Sequence, residues 1–331
     1  MGIICKPCFA FDALAAVTLH KANLYGFRDD IPYVKQQSDK YFGELNIAGS
    51  DSYFHLFTAN YSFDEIERMD LKAFTENYPN CIKGNEFEEQ IIRGLKILKD
   101  MDFTRLWEEY CLPFLQKHCD EYNSAIKSEN KLVSSVLSDI QKLKPNKKID
   151  DINIYMSYFI HPVHIGLHRG LASNGYLTNR IEGDEIDIGN ILGMFAHELT
   201  HGFANEKIRE IYERAREEDD FLKKTKSIMY KWGQTGDEEE FVCALSSYIS
   251  FRNGLARKDE ICGKGNDSMP VALIITDELL KLGEIPEDVN LWIYDLFKNG
   301  TIRVGEVENK VNNISPGYVD NFMNTYFKDE K

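Results

Sequence analysis

Apolar side chains recur at intervals of three and four residues along most of this chain, and this spacing predicts amphipathic helices. In the first 150 residues it predicts five of them, over residues 12–25, 62–74, 86–101, 104–124 and 128–143. The second begins with Ser62-Phe63-Asp64-Glu65, a capping-box sequence whose side chains satisfy backbone N–H groups at a helix start. Residues 142–151 are charged and contain one proline, so we interpret them as a linker or an exposed turn.

The pattern changes from helical to extended at about residue 151. Residues 152–160 are rich in β-branched and aromatic side chains and partly alternate in polarity, which predicts a strand. Residues 166–181 are predicted to form one or two further short strands, and the chain after residue 205 returns to helical spacing. The elements therefore predict an α+β fold that is predominantly helical, with a small mixed sheet placed directly before one helix. We expect a helical N-terminal domain (1–150), a core (151–255) and a helical C-terminal subdomain (256–331).

That helix carries the segment His197-Glu198-Leu199-Thr200-His201, which is an H-E-x-x-H motif. The apolar residues that predict the helix form one stripe, and they are Ile188, Ile191, Leu192, Phe195 and Leu199. The motif histidines and glutamate fall away from the centre of this stripe, and Asp187 stands where an N-cap is expected.

Side chains four residues apart on a helix lie about 40° apart around its axis, so His197 and His201 are predicted to project from one face. Two neutral imidazoles held in this way can ligate one Zn²⁺ at roughly 2.0–2.1 Å. Glu198 lies between them in angle, where it can reach a water held by the metal and act as a general base. The motif therefore predicts one catalytic zinc per chain.

A catalytic zinc usually has three protein ligands, so a third must come from elsewhere in the chain. The metzincin arrangement is excluded because Ala204 and Lys207 stand where it needs glycine and histidine, and no histidine follows His201. A carboxylate of the segment Glu238-Glu239-Glu240 is the natural source. Glu240 is our choice, because it lies at the edge of the apolar stripe of its predicted helix. Glu238 and Glu239 stay open as alternatives, and an acidic first turn would also suit the helix dipole.

Composition and charge limit the binding partners and the cellular compartment that we expect for this protein. The 331 residues carry a net charge of −15, which disfavours nucleic acid and anionic membranes, because phosphate binding needs a basic surface. The N-terminus lacks a signal-peptide pattern and the apolar runs are too short to cross a bilayer, so we expect a cytoplasmic protein. Seven scattered cysteines do not suggest a disulfide framework. The C-x-x-C pair Cys5 and Cys8 could be a redox pair or half of a zinc site, but no second C-x-x-C follows it, so a structural role is favoured.

Six further histidines lie outside the motif. His161, His164 and His168 cluster at the end of the predicted strands, where extra metal ligation or substrate contact is the alternative to an ordinary loop. The interpretation we favour for these residues, and for His20, His55 and His118, is structural.

The motif and the later glutamate resemble the gluzincin zinc metallopeptidases, the thermolysin-like group, over about residues 152–251. In that family a zinc-binding Glu lies on a later helix, and a residue four positions on, often Asp, orients a zinc histidine. Ala244 stands at that position if Glu240 is the ligand. The resemblance implies a zincin-like core in which the sheet packs on the motif helix. It also implies that a peptide adds as a strand to an edge, for which 171–176 is the candidate.

The resemblance implies hydrolysis of peptide bonds, with a peptide or protein as substrate. Zinc polarises the scissile carbonyl, Glu198 accepts the proton, and a further donor stabilises the oxyanion. Family members use a downstream His or Tyr as this donor, and Tyr318 is the choice here because a Ser-Pro-Gly turn precedes it. The alternative function is a catalytically silent zinc-binding regulatory or interaction protein on the same scaffold. The presence of Glu198 favours the enzyme, since a structural zinc needs no base.

Overall fold

The computed structural model describes residues 2–19, 30–47, 50, 52–145, 152–160, 165–169, 172–178, 186–231, 237–262 and 268–328. Helices dominate these residues, and four short strands form one mixed sheet. The predicted α+β class, predominantly helical, is confirmed. None of the helices in the described ranges is both long enough and apolar enough to cross a membrane.

The chain divides into two compact units, one formed by residues 1–128 and 149–186 and the other by residues 129–148 and 187–331. The boundaries of these units differ from the predicted domain boundaries near residues 150 and 255. The reason is a long-range pairing, because a strand at the N-terminus joins the sheet that the sequence pattern had placed in a separate core. The sheet belongs to the first unit and the motif helix belongs to the second.

The first unit contains all four strands and eight α-helices among its described residues. In chain order they are β1 (Ile3–Pro7), α1 (Phe9–Thr18), α2 (Pro32–Phe42), α3 (Ser52–Asn60), α4 (Phe63–Glu67), α5 (Leu71–Asn77), α6 (Glu88–Asp100), α7 (Phe103–Leu106), α8 (Leu112–Ser128), β2 (Ile152–Met156), β3 (Ile165–Arg169) and β4 (Ala172–Thr178). A 3₁₀ turn (Tyr78–Asn80) follows α5, and a π-helical turn (Trp107–Cys111) joins α7 to α8. The predicted capping box at Ser62 and Glu65 is present and starts α4.

The strand order of the sheet is β1-β2-β4-β3. β1 runs parallel to β2, β2 parallel to β4, and β4 antiparallel to β3. The sheet is therefore mixed, as predicted, but β4 is an inner strand with a partner on each side. The prediction that 171–176 forms a free edge is wrong for Gly175 and Tyr176, which pair with β2 on one side and with β3 on the other.

The two outer strands have polar partners from neighbouring helices of the same unit. The side chain of Asn123 in α8 accepts from the N–H of Cys5 in β1 and donates to its carbonyl, at 2.8 Å each. At the other edge, His55 in α3 donates from Nε2 to the carbonyl of Gly166 in β3, at 3.0 Å. These contacts occupy backbone groups that an added peptide strand would need.

Neither cysteine of the C-x-x-C segment pairs with the other. Cys5 lies with its Sγ 3.5 Å from Sγ of Cys119, a residue of α8, whereas Cys8 is the N-cap of α1. Both are buried, and burial raises the pKa of the Cys8 thiol to about 12. A buried thiol with a raised pKa forms little of the reactive thiolate.

Asp12 of α1 is a fully buried carboxylate that ties the helix to the end of β2. It accepts hydrogen bonds from Trp107 Nε1 at 2.8 Å, from the backbone N–H of Tyr158 at 2.9 Å, and from the hydroxyl of Ser157. Burial raises the pKa of Asp12 to about 6, although these donors act in the opposite direction. The carboxylate is thus a structural acceptor in the core of the first unit.

We expect Asp12→Asn to lower the free energy of unfolding by about 2 kcal/mol, because the amide turns a donor toward a buried N–H. Urea unfolding followed by circular dichroism measures this change. Asp64→Asn, on the exposed first turn of α4, is the matched control and should change stability by less than about 0.5 kcal/mol. Equal effects of the two substitutions would contradict the structural role of Asp12.

The second unit is entirely helical over its described residues. Its elements are α9 (Asn130–Leu143), α10 (Ile188–Glu198), α11 (Glu206–Glu218), α12 (Asp220–Lys231), α13 (Glu239–Arg252), α14 (Lys258–Ile261), α15 (Pro270–Leu282), α16 (Val289–Lys298), α17 (Val307–Ile314) and α18 (Tyr318–Tyr326). The motif helix α10 packs against α13, which carries the acidic segment, and against α9. This unit therefore contains every residue of the candidate site described next.

Candidate metal centre

The motif helix begins as the sequence predicts. The side chain of Asp187 accepts from the backbone N–H of Asn190 at 3.0 Å, which is N-cap geometry. The predicted apolar stripe is buried, and its members in α10 are Ile188, Ile191, Leu192 and Phe195. His197 and Glu198 are half-buried on the remaining surface of the helix.

The helix ends earlier than predicted, at Glu198, so His201 lies in the turn that follows rather than on the helix. The N–H of Thr200 bonds the carbonyl of His197 at 3.0 Å, which tightens the chain into a three-residue turn. Gly202 then takes φ of +80°, a left-handed conformation that ends the helix at little cost for glycine. The two motif imidazoles nevertheless remain neighbours, with ring centres 5.1 Å apart.

Glu239, the first residue of α13, faces both imidazoles. Its Oε1 lies 3.3 Å from Nε2 of His197, and its Oε2 lies 3.6 Å from Nε2 of His201. Donor atoms around a tetrahedral zinc with bonds of about 2.05 Å are separated by about 3.3 Å. Each imidazole-to-carboxylate distance is close to that between two ligands of one zinc, although the two contacts use different oxygens of Glu239.

Glu238 contacts the opposite side of the His201 ring. Its Oε1 lies 3.3 Å from Nδ1 of His201 and accepts the N–H of Gly202 at 2.6 Å, while its Oε2 accepts from Arg209 at 2.9 Å. A carboxylate at Nδ1 fixes the proton there and leaves Nε2 free to bind a metal. Glu238 is thus placed to orient His201.

Cys243 lies one helical turn after Glu239 and completes the cluster. Its Sγ is 4.0 Å from Nδ1 of His197 and 3.8 Å from Oε1 of Glu239. Among the described residues, His197, Glu239 and Cys243 are a set whose donor atoms all lie within 4.8 Å of one another, so they could hold a metal ion. Burial raises the pKa of the Cys243 thiol.

The structure does not bring Glu240, the predicted third ligand, to the imidazoles. Glu240 is 0% exposed, and its carboxylate accepts from the hydroxyl of Tyr212 and from the backbone N–H groups of Val271 and Ala272, at 2.6 and 3.0 Å. It therefore binds the N-terminus of α15, where a negative charge is favoured. Burial raises the pKa of Glu240 to about 7, against the effect of these donors.

If Glu239 and not Glu240 is the ligand, a different residue lies four positions after it. With Glu239 facing the histidines, the position that orients a zinc histidine in gluzincins falls on Cys243 and not on Ala244. Cys243 does contact His197, at the imidazole nitrogen away from Glu239. Cys243 was not among the ligands predicted from the sequence, and the signal that could have indicated it is its thiol, a common zinc ligand type, in the helix that carries the acidic segment.

The charges of the cluster favour a cation. Burial disfavours a charged imidazole at His197, but its contacts with Cys243 and Glu239 outweigh burial and raise the pKa of His197 to about 11. Burial opposes ionisation of Glu238 and Glu239 too, yet the neighbouring histidines and other donors hold the pKa of both carboxyls below the ordinary value. A metal would have to displace the proton that these contacts hold on His197, because a metal binds the neutral imidazole. With that proton removed, two carboxylates and two imidazoles in one half-buried cluster suit a divalent metal with nitrogen and oxygen ligands.

Tyr318, the predicted oxyanion donor, begins α18 after Gly317, which has φ of +83°. Its side chain is 4% exposed, and its ring centre lies 6.5 Å from that of Phe221 in α12. Such burial is typical of a packed aromatic and does not support a hydroxyl that faces a wet cleft. Its catalytic role stays a prediction that nothing in the geometry favours.

The other histidines named from sequence give no further ligands. His20, His161 and His164 lie outside the described residues, and for His168 only the backbone is described. His118 is buried in α8 with Nδ1 3.0 Å from Glu121, and His55 bonds the sheet edge. These last two are structural, as predicted.

A cleft of about 710 Å³ lies beside the turn that carries His201. Gly202 and Phe203 line it from the turn, Lys144 lines it from the end of α9, and Asn205 and Asn290 line it from the starts of α11 and α16. Its volume would hold several residues of a peptide, but its lining includes Gly202 and not His197, Glu198, His201 or Glu239.

Comparison with protein-family models, with curated proteins and with solved structures finds no match to this chain.

Proposed function

We propose that this protein is a zinc-dependent peptidase that holds one zinc through His197, His201 and Glu239. The observation that carries the proposal is the position of the Glu239 carboxylate, with one oxygen toward each Nε2 of the two motif histidines. A His₂Glu set is a donor set of catalytic zinc sites, which keep a position open for water. Glu239 replaces Glu240 as the proposed third ligand.

Zinc, when bound, would polarise the scissile carbonyl and lower the pKa of a bound water from about 15.7 toward 7. Glu198 is the general base: it directly follows His197 at the end of α10, is half-buried, and takes a proton from the attacking water. It then passes the proton to the leaving amine. Glu238 holds His201 and Cys243 contacts His197, so each imidazole has a partner at Nδ1.

Peptide bonds are the proposed substrate because the H-E-L-T-H sequence followed by a glutamate on a later helix resembles gluzincins. The cleft lined by Gly202 and Phe203, next in sequence to His201, has the volume for several residues of an extended ligand. Entry by addition to the edge of the sheet is not part of the proposal, because Asn123 and His55 already bond the outer strands.

The test is a measurement of metal content and of cleavage on the same preparation. We expect about one zinc per chain and cleavage of members of a mixed-peptide library, read by mass spectrometry across pH 6–8. Chelation should abolish cleavage, and added zinc should restore it. A zinc-loaded protein that cuts no peptide in this range would reject the peptidase proposal.

The second candidate function is a closed zinc site without turnover, in which Cys243 is a fourth ligand. The short distances from Sγ of Cys243 to His197 and Glu239 favour it. Against it, the thiol lies at Nδ1 of His197 while Glu239 lies at Nε2, and one imidazole offers one nitrogen to a given metal. The open site is therefore the better supported of the two.

Cys243→Ser separates these candidates. An open site predicts that zinc stays bound with an affinity reduced by about 10–100-fold at most, as for other partners of ligating histidines. A closed site predicts a larger loss of affinity. The cobalt-substituted wild-type protein gives a second reading, because a thiolate ligand produces sulfur-to-cobalt charge-transfer absorption, which an open His₂Glu site lacks.

A further inference from the structure

Lys144 is a buried lysine in a segment that the sequence pattern describes as a linker or exposed turn. It follows the last residue of α9, Leu143, and its side chain is 8% exposed. Lysine is almost never buried to this degree unless its ammonium is paired or hydrogen-bonded. Its position therefore needs an explanation from its contacts.

The Lys144 ammonium reaches the turn of the H-E-x-x-H motif. Nζ donates to the carbonyl oxygens of Leu199 and His201, at 2.5 Å each. These carbonyls lie just beyond the end of α10, where the backbone acceptors have no partner within the helix. A cation at this end also interacts favourably with the helix dipole.

The same turn is fixed from other directions. The hydroxyl of Thr200 donates to the carbonyl of Ala196 at 2.6 Å, and the N–H of Gly202 donates to Glu238. His201 therefore lies between a cation on its carbonyl and a carboxylate on the next N–H. The motif helix stops at Glu198. These contacts, rather than helical hydrogen bonds, therefore fix the backbone that carries His201.

We propose that Lys144 is a positioning residue of the metal centre, which holds the His201 turn so that Nε2 points toward Glu239. This inference rests on the metal site of the proposed function, but not on its peptidase activity. Lys144 touches no reacting group and acts through the backbone of Leu199 and His201. Removal of its ammonium should loosen the second histidine and weaken metal binding.

Lys144→Met tests this proposal, because it keeps the length and apolar stem of the side chain and removes all three donors. We expect the zinc affinity, measured by competition with a chromogenic chelator, to fall by about 10–100-fold, as for other groups that orient metal ligands. The visible spectrum of the cobalt-substituted variant should also change, since the ligand field depends on the direction of His201. Lys131→Met is the matched control, because Lys131 is exposed on the same helix, and it should change neither quantity.

Lys144→Gln provides a graded variant, because its amide retains donors on a shorter side chain. The expected order of zinc affinity is wild type, then Lys144→Gln, then Lys144→Met. If Lys144→Met does not fold, the comparison of Lys144→Gln with the wild type decides. A folded Lys144 variant with wild-type zinc affinity and an unchanged cobalt spectrum would overturn the inference and leave the proposed function in place. A wild-type protein that binds zinc and cuts no peptide would reject the peptidase function and leave the role of Lys144 in place.

Discussion

Replacement of Glu198 by Gln is expected to lower the rate of peptide hydrolysis by at least about 100-fold, the low end for general acid–base catalysis. The amide fills the space of the carboxylate but cannot accept a proton from the attacking water. Zinc affinity should stay close to that of the wild type, because Glu198 is not one of the three proposed ligands. The measurement is turnover of a peptide chosen from the library, together with zinc titration of the same variant.

Glu210→Gln is the matched control for this experiment. It makes the same chemical change at an exposed position of α11 and should leave turnover unchanged. A loss in kcat and in kcat/KM together, with KM nearly constant, would identify a group that acts in the transition state. Near-wild-type turnover in Glu198→Gln would mean that another residue is the base, even if zinc is bound as proposed.

The start of the motif helix could be predicted because its signals are local. The apolar stripe from Ile188 to Phe195 and the N-cap at Asp187 lie within the segment that they define, and the structure has both. The end of the helix could not be predicted in the same way. It depends on the left-handed conformation of Gly202 and on contacts from Lys144 and Glu238, which are distant in sequence.

The choice among the three consecutive glutamates shows a second limit of periodicity. Successive residues on a helix are separated by about 100°, so Glu239 and Glu240 point to different neighbours. Sequence pattern correctly indicated that Glu240 faces the core, and the structure has it fully buried. The buried carboxylate of Glu240 accepts hydrogen bonds from Tyr212 and from the start of α15. No local sequence signal predicts these partners.

The N-terminal strand is the third case. Residues 3–7 are too few to carry a clear alternation, and they form β1 only by pairing with residues 152–156. That pairing places the sheet and the N-terminal helices in one unit, and the residues of the candidate metal centre belong to the other. Contacts over such a separation in sequence decide the boundaries of the units, and hydrophobic spacing contains no information about them.

The second large effect is expected from two single variants, Glu239→Gln and Glu240→Gln. Each replaces a carboxylate by an amide, at adjacent positions of the chain. Glu239→Gln removes the charge that faces both Nε2 atoms, so zinc affinity should fall by more than the roughly 100-fold seen when partners of ligands are altered. Glu240→Gln should keep zinc affinity within about tenfold of the wild type. It should instead lower the free energy of unfolding by about 1–3 kcal/mol, because the amide must turn its NH₂ either toward Tyr212 or toward the two backbone N–H groups.

The two variants are compared by chelator competition for zinc and by urea unfolding of the metal-free proteins. Each serves as the control of the other, since a general disturbance of α13 would lower both quantities in both variants. The ligand assignment predicts different zinc affinities: Glu239→Gln loses zinc, whereas Glu240→Gln keeps zinc and loses stability. Full zinc affinity in Glu239→Gln would exclude Glu239 as the ligand. The same titration of Glu238→Gln would then be the next measurement, because Glu238 is the other carboxylate in contact with a motif histidine.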